Sequence, residues 1–196
     1  MDISEHTSTT EAQLVTDVLA GDQQAFSALF KQLYPRVYRT VYGMLGDEAS
    51  ATEVTQTVWV KAWQKRTNYN FKASYSTWIH RIAVNSALDE LKRKRRYWSR
   101  FTQLLSHEDL RKESGQAVAG RSDPAKDMQT AERHEELYAA IAQLPEAQRL
   151  TLVLKEFENY TYAEIASILG CKVGTVMSRL HTARNQMQRI LNPESK

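Results

Sequence analysis

Apolar positions recur at helical spacing along most of this 196-residue chain, and no stretch alternates for the length of a strand. A first helix is predicted from about Glu11 to Ala20, broken by Gly21-Asp22. A second starts at Gln23 and carries Phe26, Phe30, Leu33, Val37, Val41 and Leu45 on one side. Pro35 falls inside it and should bend it, because proline removes one backbone donor. Gly46-Asp47 ends that helix and caps a third, in which Ala51, Val54, Val58, Ala62 and, near the end, Trp63 form the buried stripe. Asn68 to Tyr75 has loop composition with aromatics in it. A fourth helix is expected from about Ser76 to Arg96, with Trp78, Ile82, Leu88 and Leu91 inward.

From roughly Trp98 to Thr130 the periodicity collapses into a polar stretch with Gly, Ser and Pro, the composition of a tether. It returns over Ala131 to Gln143, with Leu137, Ile141 and Leu144 inward, and Pro145 opens a further helix to about Glu156. The prediction is an all-α protein of two small helical domains, residues 11–97 and 131–192. A flexible linker, 98–130, joins them, and a disordered tail, 1–10, precedes them.

The segment Thr161 to Arg184 has the residue types that a helix-turn-helix needs. Thr161 and Glu164 suit a capping box, each satisfying a free amide at the helix start. Ile165, Ala166 and Leu169 make one apolar face, and Gly170 supplies a residue able to take positive φ at the helix stop. Cys171 follows as a small apolar cap on the turn. Val173, Val176, Leu180, Ala183, Met187 and Ile190 then form a narrow stripe. The opposite arc holds Gly174, Ser178, Thr182, Asn185 and Arg189, flanked by Arg179 and His181. That polar arc suits a major groove, which admits one α-helix. A two-helix hairpin packed inside a bundle is the competing reading.

Charge changes the picture, because the net of +3 is unevenly divided. Residues 1–60 carry a net of −5, residues 61–100 a net of +9, and residues 101–196 a net of −1. Such polarity points to a polyanion for the middle segment and a different partner for the first. The single cysteine, Cys171, excludes a disulfide framework and suits a reducing cytoplasm. No apolar run approaches membrane-spanning length, and the polar, acidic N-terminus is unlike a signal peptide, so no membrane insertion is expected.

Tyr69 to Arg96 joins aromatics (Tyr69, Phe71, Tyr75, Trp78) to hydrogen-bonding Asn70, Ser74 and Asn85 and to dense positive charge. Proteins that hold unpaired bases combine these features: aromatics stack on bases, and basic groups track phosphates. An extruded base also needs polar groups aimed at its pairing edge. Trp78 shares a face with Ile82 and reads mainly as core, whereas Tyr69 and Phe71 sit in the loop. The run Lys92 to Arg96 is either a solvated helix end or, following this patch, a phosphate contact.

Four segments then resemble one family in order: SATEVTQTVWVKAW (Ser50–Trp63), STWIHRIAVNSALDELKRKRR (Ser76–Arg96), LPEAQR (Leu144–Arg149) and EIASILGCKVGTVMSRL (Glu164–Leu180). Together they are similar to bacterial RNA polymerase sigma factors, specifically the extracytoplasmic-function (ECF) group of the sigma-70 family. The resemblance covers about residues 11–97 and 131–191 and implies the second and fourth sigma domains joined by a linker. It implies that Glu53, Gln56 and Trp59, with Lys61 beside them, dock on the clamp helices of the largest subunit of core RNA polymerase. Phe71, Ser74, Trp78, Arg81, Asn85, Asp89 and Arg93 fall where the family opens the minus-ten element and holds its non-template strand. Lys172, Thr175, Ser178, Arg179, Thr182 and Arg184 fall on the helix that reads the minus-thirty-five element of promoter DNA. Arg149 falls where either a phosphate contact or an intradomain salt bridge is implied. In this group an anti-sigma factor often masks both domains, so one is implied as a partner. No cofactor or metal is implied, and the location is cytoplasmic.

The chain also departs from the family. Ser50, Thr52 and Thr57 stand where the docking helix is commonly acidic, and Met177 and Thr182 where the recognition helix is commonly basic. Two other functions compete. A stand-alone helix-turn-helix regulator predicts a receiver or ligand pocket in the first domain, which here has a single-strand-like patch instead. An enzyme is disfavoured: His6, His80, His107, His134 and His181 show no paired helical spacing, and no Gly-rich phosphate loop or paired catalytic carboxylates occur.

Overall fold

The computed structural model describes residues 11–104 and 136–192. The predicted tail and most of the predicted linker lie outside the described residues. The elements are α1 (Glu11–Ala20), α2 (Gln23–Leu45), α3 (Glu48–Gln64), a 3-10 turn (Arg66–Asn68), α4 (Tyr75–Leu104), α5 (residues 136–142), α6 (Glu146–Glu156), α7 (Tyr162–Leu169) and α8 (Val173–Leu191). No strand occurs among the described residues.

Local chemistry sets the helix ends. Asp22 opens α2, its Oδ1 accepting from the amides of Gln24 at 2.7 Å and Ala25 at 3.2 Å. Such a cap is worth about 1 kcal/mol. Gly46 stops α2 at φ 69°, with its amide 2.7 Å from the Tyr42 carbonyl. A β-carbon there would also come within 3.1 Å of the Arg149 guanidinium, a second reason that favours glycine. Asp47 then caps α3 through the Ser50 amide. α2 continues as one helix through Pro35.

The first bundle comprises α1 to α4. Leu29, Val37, Val41 and Met44 of α2 meet Ala51, Val58 and Ala62 of α3 and Ile79, Ala83 and Ala87 of α4, all fully or nearly fully buried. Trp59 sits among Phe26 and Phe30, with ring centroids 5.9 and 4.9 Å away. The inward face of α4 keeps the expected Leu91 but otherwise differs from the expected one. Ile79, Ala83, Ala87 and Leu91 are buried, and Trp78, Ile82 and Leu88 lie at its margin. Larger side chains drew the sequence reading to the margin, whereas close helix packing uses the alanines. α4 also runs to Leu104, past the predicted boundary at residue 97.

The second bundle packs α6 and α7 against α8. The helix-turn-helix closes as expected. The Thr161 amide donates to Glu164 Oε2 at 2.8 Å, and the Thr161 hydroxyl accepts from the Glu164 amide at 3.3 Å. Gly170 takes φ 61°, and the Cys171 amide reaches back to the Ala166 carbonyl at 3.0 Å. Val176, Leu180, Ala183 and Met187 bury the inner stripe of α8. Val173 departs from that stripe, being 43% exposed.

The two bundles share a core. α6 lies on the C-terminal half of α2, where Val153 fills the space above Gly43, and Tyr138 of α5 packs edge-on to Tyr42 with ring centroids 6.0 Å apart.

Candidate nucleic-acid interface

α4 presents Arg81, Asn85 and Asp89 at successive four-residue steps, all exposed, along the stripe opposite its buried alanines. Ser74 stands just before this helix. Its hydroxyl accepts from the Thr77 amide at 3.1 Å, so Ser74 caps α4 and fixes where the stripe begins. In the preceding loop, Phe71 holds a left-handed backbone at φ 59° and is 63% exposed. The ring leans on Tyr69, whose hydroxyl donates to the Ala73 carbonyl at 2.7 Å and closes the loop. Behind it Tyr75 is buried, which pushes its phenol up to about 12 and keeps it neutral. Trp78, at the margin of the core, is half-buried against Tyr69 and Tyr75.

The basic run behind this stripe is more engaged than its composition suggests. Arg93 forms a two-pronged contact with Glu90 at 2.7 and 2.8 Å, and that hydrogen bond raises its already high pKa. Lys94 reaches back to Ser50 at 2.6 Å and Asp47 at 3.2 Å, tying the start of α3 to α4. Arg95 lies 3.4 Å from Glu146. Water screens exposed pairs of this kind, so they are weak and a phosphate can displace them.

On α3, Glu53 and Gln56 are exposed and one turn apart. Two neighbours depart from the expectation. Trp59 is 5% exposed and belongs to the aromatic core, so it supports this face from beneath and offers no contact surface. Lys61 is half-buried, with its ammonium 3.0 Å from the Ser86 hydroxyl of α4.

On α8, Ser178 and Thr182 lie exposed on the outer arc with Asn185, and Lys172 is exposed at the N-terminal end. Thr175 and Arg179 are half-buried on one flank, with a guanidinium nitrogen of Arg179 3.7 Å from Cys171 Sγ. Arg184 is not brought to this arc. It projects toward α6 and pairs with Glu156 at 2.6 Å, a hydrogen bond that raises its pKa. Met177 is 55% exposed next to Val173, an apolar flank on an otherwise polar helix.

Arg149 binds main-chain carbonyls, where an intradomain salt bridge or a phosphate contact was foreseen for it. Its guanidinium donates to the carbonyls of Met44 and Leu45 at the end of α2, each at 3.2 Å, and to those of Leu144 and Ala142. Burial lowers its pKa, and the four carbonyls satisfy its donors in this arrangement. Sequence reasoning missed the partners of His80 and Glu158 altogether. His80 Nδ1 lies 2.9 Å from each Glu158 carboxylate oxygen, and the Thr40 hydroxyl donates to Oε1 at 2.6 Å. Burial alone would raise the Glu158 carboxyl, but the hydrogen bond and charge of His80, with Thr40 and Arg36, hold it below its ordinary range. These partners are 78 and 118 residues apart in sequence, and no local pattern marks them.

With this geometry in view, the comparisons with known proteins are specific. Residues 29–97 match the family model "Sigma-70 region 2" and residues 134–187 the model "Sigma-70, region 4". The chain is 33% identical over 187 residues to the ECF RNA polymerase sigma-E factor of Escherichia coli K12, covering 94% of this chain and 95% of that one. It is 30% identical over 183 residues to the RNA polymerase sigma-H factor of Pseudomonas aeruginosa, covering 93% and 94%. The fold is similar to that of the sigma factor RpoE in its co-crystal with the anti-sigma factor NepR from Bartonella quintana, with TM-score 0.57, 22% identity, and 86% and 98% of the two chains covered. It is also similar to CnrH in complex with the cytosolic domain of CnrY, with TM-score 0.52, 19% identity, and coverage of 93% and 97%. The chain belongs to the sigma-70 family of RNA polymerase sigma factors, in its ECF group.

Proposed function

We propose that this chain binds core RNA polymerase, directs it to promoters bearing a particular minus-ten and minus-thirty-five pair, and opens the minus-ten DNA. The observation that carries this reading is the exposed, left-handed Phe71 set at the head of the Arg81–Asn85–Asp89 stripe. Phe71 supplies a stacking face for an unpaired base, an interaction worth about 1–3 kcal/mol. Asn85 and Asp89 offer hydrogen-bonding groups to base edges, and Arg81 offers charge to the backbone of the same strand. Single-strand capture of this kind opens DNA because it stabilises the melted state and leaves the duplex unaided.

Glu53 and Gln56 of α3 form the polymerase-facing surface in this reading, and Lys172, Ser178 and Thr182 of α8 the minus-thirty-five reader. Arg184 joins them only if its pair with Glu156 breaks. An anti-sigma partner and a cytoplasmic location belong to the same reading. No helix among the described residues is long and apolar enough to cross a membrane. The protein's own contribution is binding and positioning, and the polymerase supplies the chemistry.

The test is open-complex formation, read as the fluorescence of a base analogue placed in the minus-ten non-template strand. The signal is expected to rise only when the chain and core polymerase are both present. A rise with core polymerase alone, or none with both, contradicts the proposal.

A further inference from the structure

The last helix carries an apolar pair that its own buried stripe does not use. Val173 and Met177 stand one turn apart on α8, both exposed, outside the row of Val176, Leu180, Ala183 and Met187 that faces the core. On the helical wheel Met177 falls between that row and the outer arc of Ser178, Thr182 and Asn185. His181, one turn beyond Met177, is exposed too, and Asn185 Nδ2 lies 3.0 Å from its Nε2. The surface beside Met177 is bare at Gly174, where a β-carbon would meet no atom of the described residues within 4 Å. Alanine is the better helix former and would fit, so nothing among the described residues calls for glycine there. Charge completes the picture. α8 contains three arginines and no Asp or Glu, yet Arg184 is turned to Glu156 at 2.6 Å and Arg179 toward Cys171 at 3.7 Å.

We propose that Met177 reads a base: it contacts the C5-methyl group of a thymine in the minus-thirty-five element, with Val173 extending the apolar surface and the bare backbone at Gly174 letting the base edge come close. This rests on the sigma-factor reading, which gives α8 its DNA. Thymine alone among the four bases shows a methyl group in the major groove, and an apolar side chain is the contact that suits it. The other bases present donors and acceptors there, and a thioether laid over them would take those groups from water without replacing the hydrogen bonds. The contact therefore discriminates as well as binds. Methionine is suited to it, because its unbranched, polarisable side chain adapts to an irregular surface. The lack of acidic residues on α8 makes the helix complementary to a polyanion, so the apolar pair belongs to a DNA-facing surface. With Arg184 held by Glu156, Met177, Ser178 and His181 are the exposed side chains that follow Gly174 over the next two turns. A face of this composition favours an A·T pair at Met177 and lacks the two-pronged arginine contact that guanine takes.

The test uses the full chain with core polymerase and a promoter that the two select from a random library. Each thymine of the minus-thirty-five element is replaced in turn by deoxyuridine, which pairs identically and lacks only the methyl group. At one thymine the replacement is expected to lower promoter affinity about fourfold, the value of one buried methyl group. Met177→Ala is expected to lower affinity for the thymine promoter by at least that factor and to abolish the response to deoxyuridine at that position. Met177→Leu keeps an apolar contact and should keep the response. A selected element without thymine, a neutral replacement at every thymine, or a full response in Met177→Ala each overturns the proposal. So does a Met177→Ala chain that loses core polymerase while its deoxyuridine response stays intact, since that assigns the flank to a protein partner. All of these leave the sigma-factor reading standing, because a promoter has been selected. Selection of no promoter is the failure of that reading, and this proposal falls with it.

Discussion

Phe71 is a non-glycine residue held at φ 59°, a conformation that costs of order 1–3 kcal/mol and persists only when its surroundings enforce it. Here the Tyr69 hydroxyl bond to Ala73 and the Asn70 side chain accepting from the Lys72 amide enforce it, and the ring is left in solvent. Loop strain that exposes an aromatic makes sense if the aromatic has a ligand. Phe71→Ala is therefore expected to reduce open-complex formation roughly 5- to 100-fold, the equivalent of one lost stacking contact, while a pull-down with core polymerase stays at full strength. Met177 gives the opposite kind of prediction. It is exposed on α8 beside the polar outer arc, so Met177→Arg should tighten binding to duplex promoter DNA and steepen the slope of log affinity against log salt by about one. A salt titration with an unchanged slope would remove Met177 from the DNA-facing surface.

Among the elements, the docking helix and the helix-turn-helix separate surface from support. On α3 the exposed Glu53 and Gln56 ride on a buried Trp59, so the helix has one face for a partner and one for its own core. Glu53→Arg is expected to weaken association with core polymerase without lowering the melting temperature, whereas a mutant that melts early and binds normally would reverse the assignment. In the helix-turn-helix, Thr161→Ala removes both directions of the capping box. It should cost about 1 kcal/mol and lower the melting temperature of the full chain by roughly 3 °C.

This is also the scale at which the sequence was most legible. The breaks at Gly21-Asp22 and Gly46-Asp47, and the stop at Gly170, depend on residues whose backbone and capping chemistry is local, and the helices end there. The inward face of α4 was misjudged because Trp78 and Ile82 outweigh Ala83 and Ala87 in hydrophobicity, although the small residues permit the closest helix approach. In the candidate site, Asn85 was readable as a polar group beside the loop aromatics, and Arg81 and Asp89 followed from the family resemblance, which the exposed stripe on α4 accommodates. The engagement of Lys61, Lys94 and Arg184 was not, because each partner lies on another helix.

At the scale of the whole molecule, the sequence implied two domains on a tether and left their arrangement open, and the described residues pack them together through α2 and α6. Contacts such as Thr40 to Glu158 leave no trace in periodicity, because neither residue is unusual among its own neighbours. The claim that all of this depends on is that the first bundle melts and the second anchors, jointly and only with the polymerase. Transcription in vitro by core polymerase and this chain on a library of random promoters tests it most directly. The account predicts transcripts that start downstream of one recurring pair of sequence elements and vanish when the chain is omitted. Transcripts without a shared pair of elements, or the same transcripts from core polymerase alone, would contradict it.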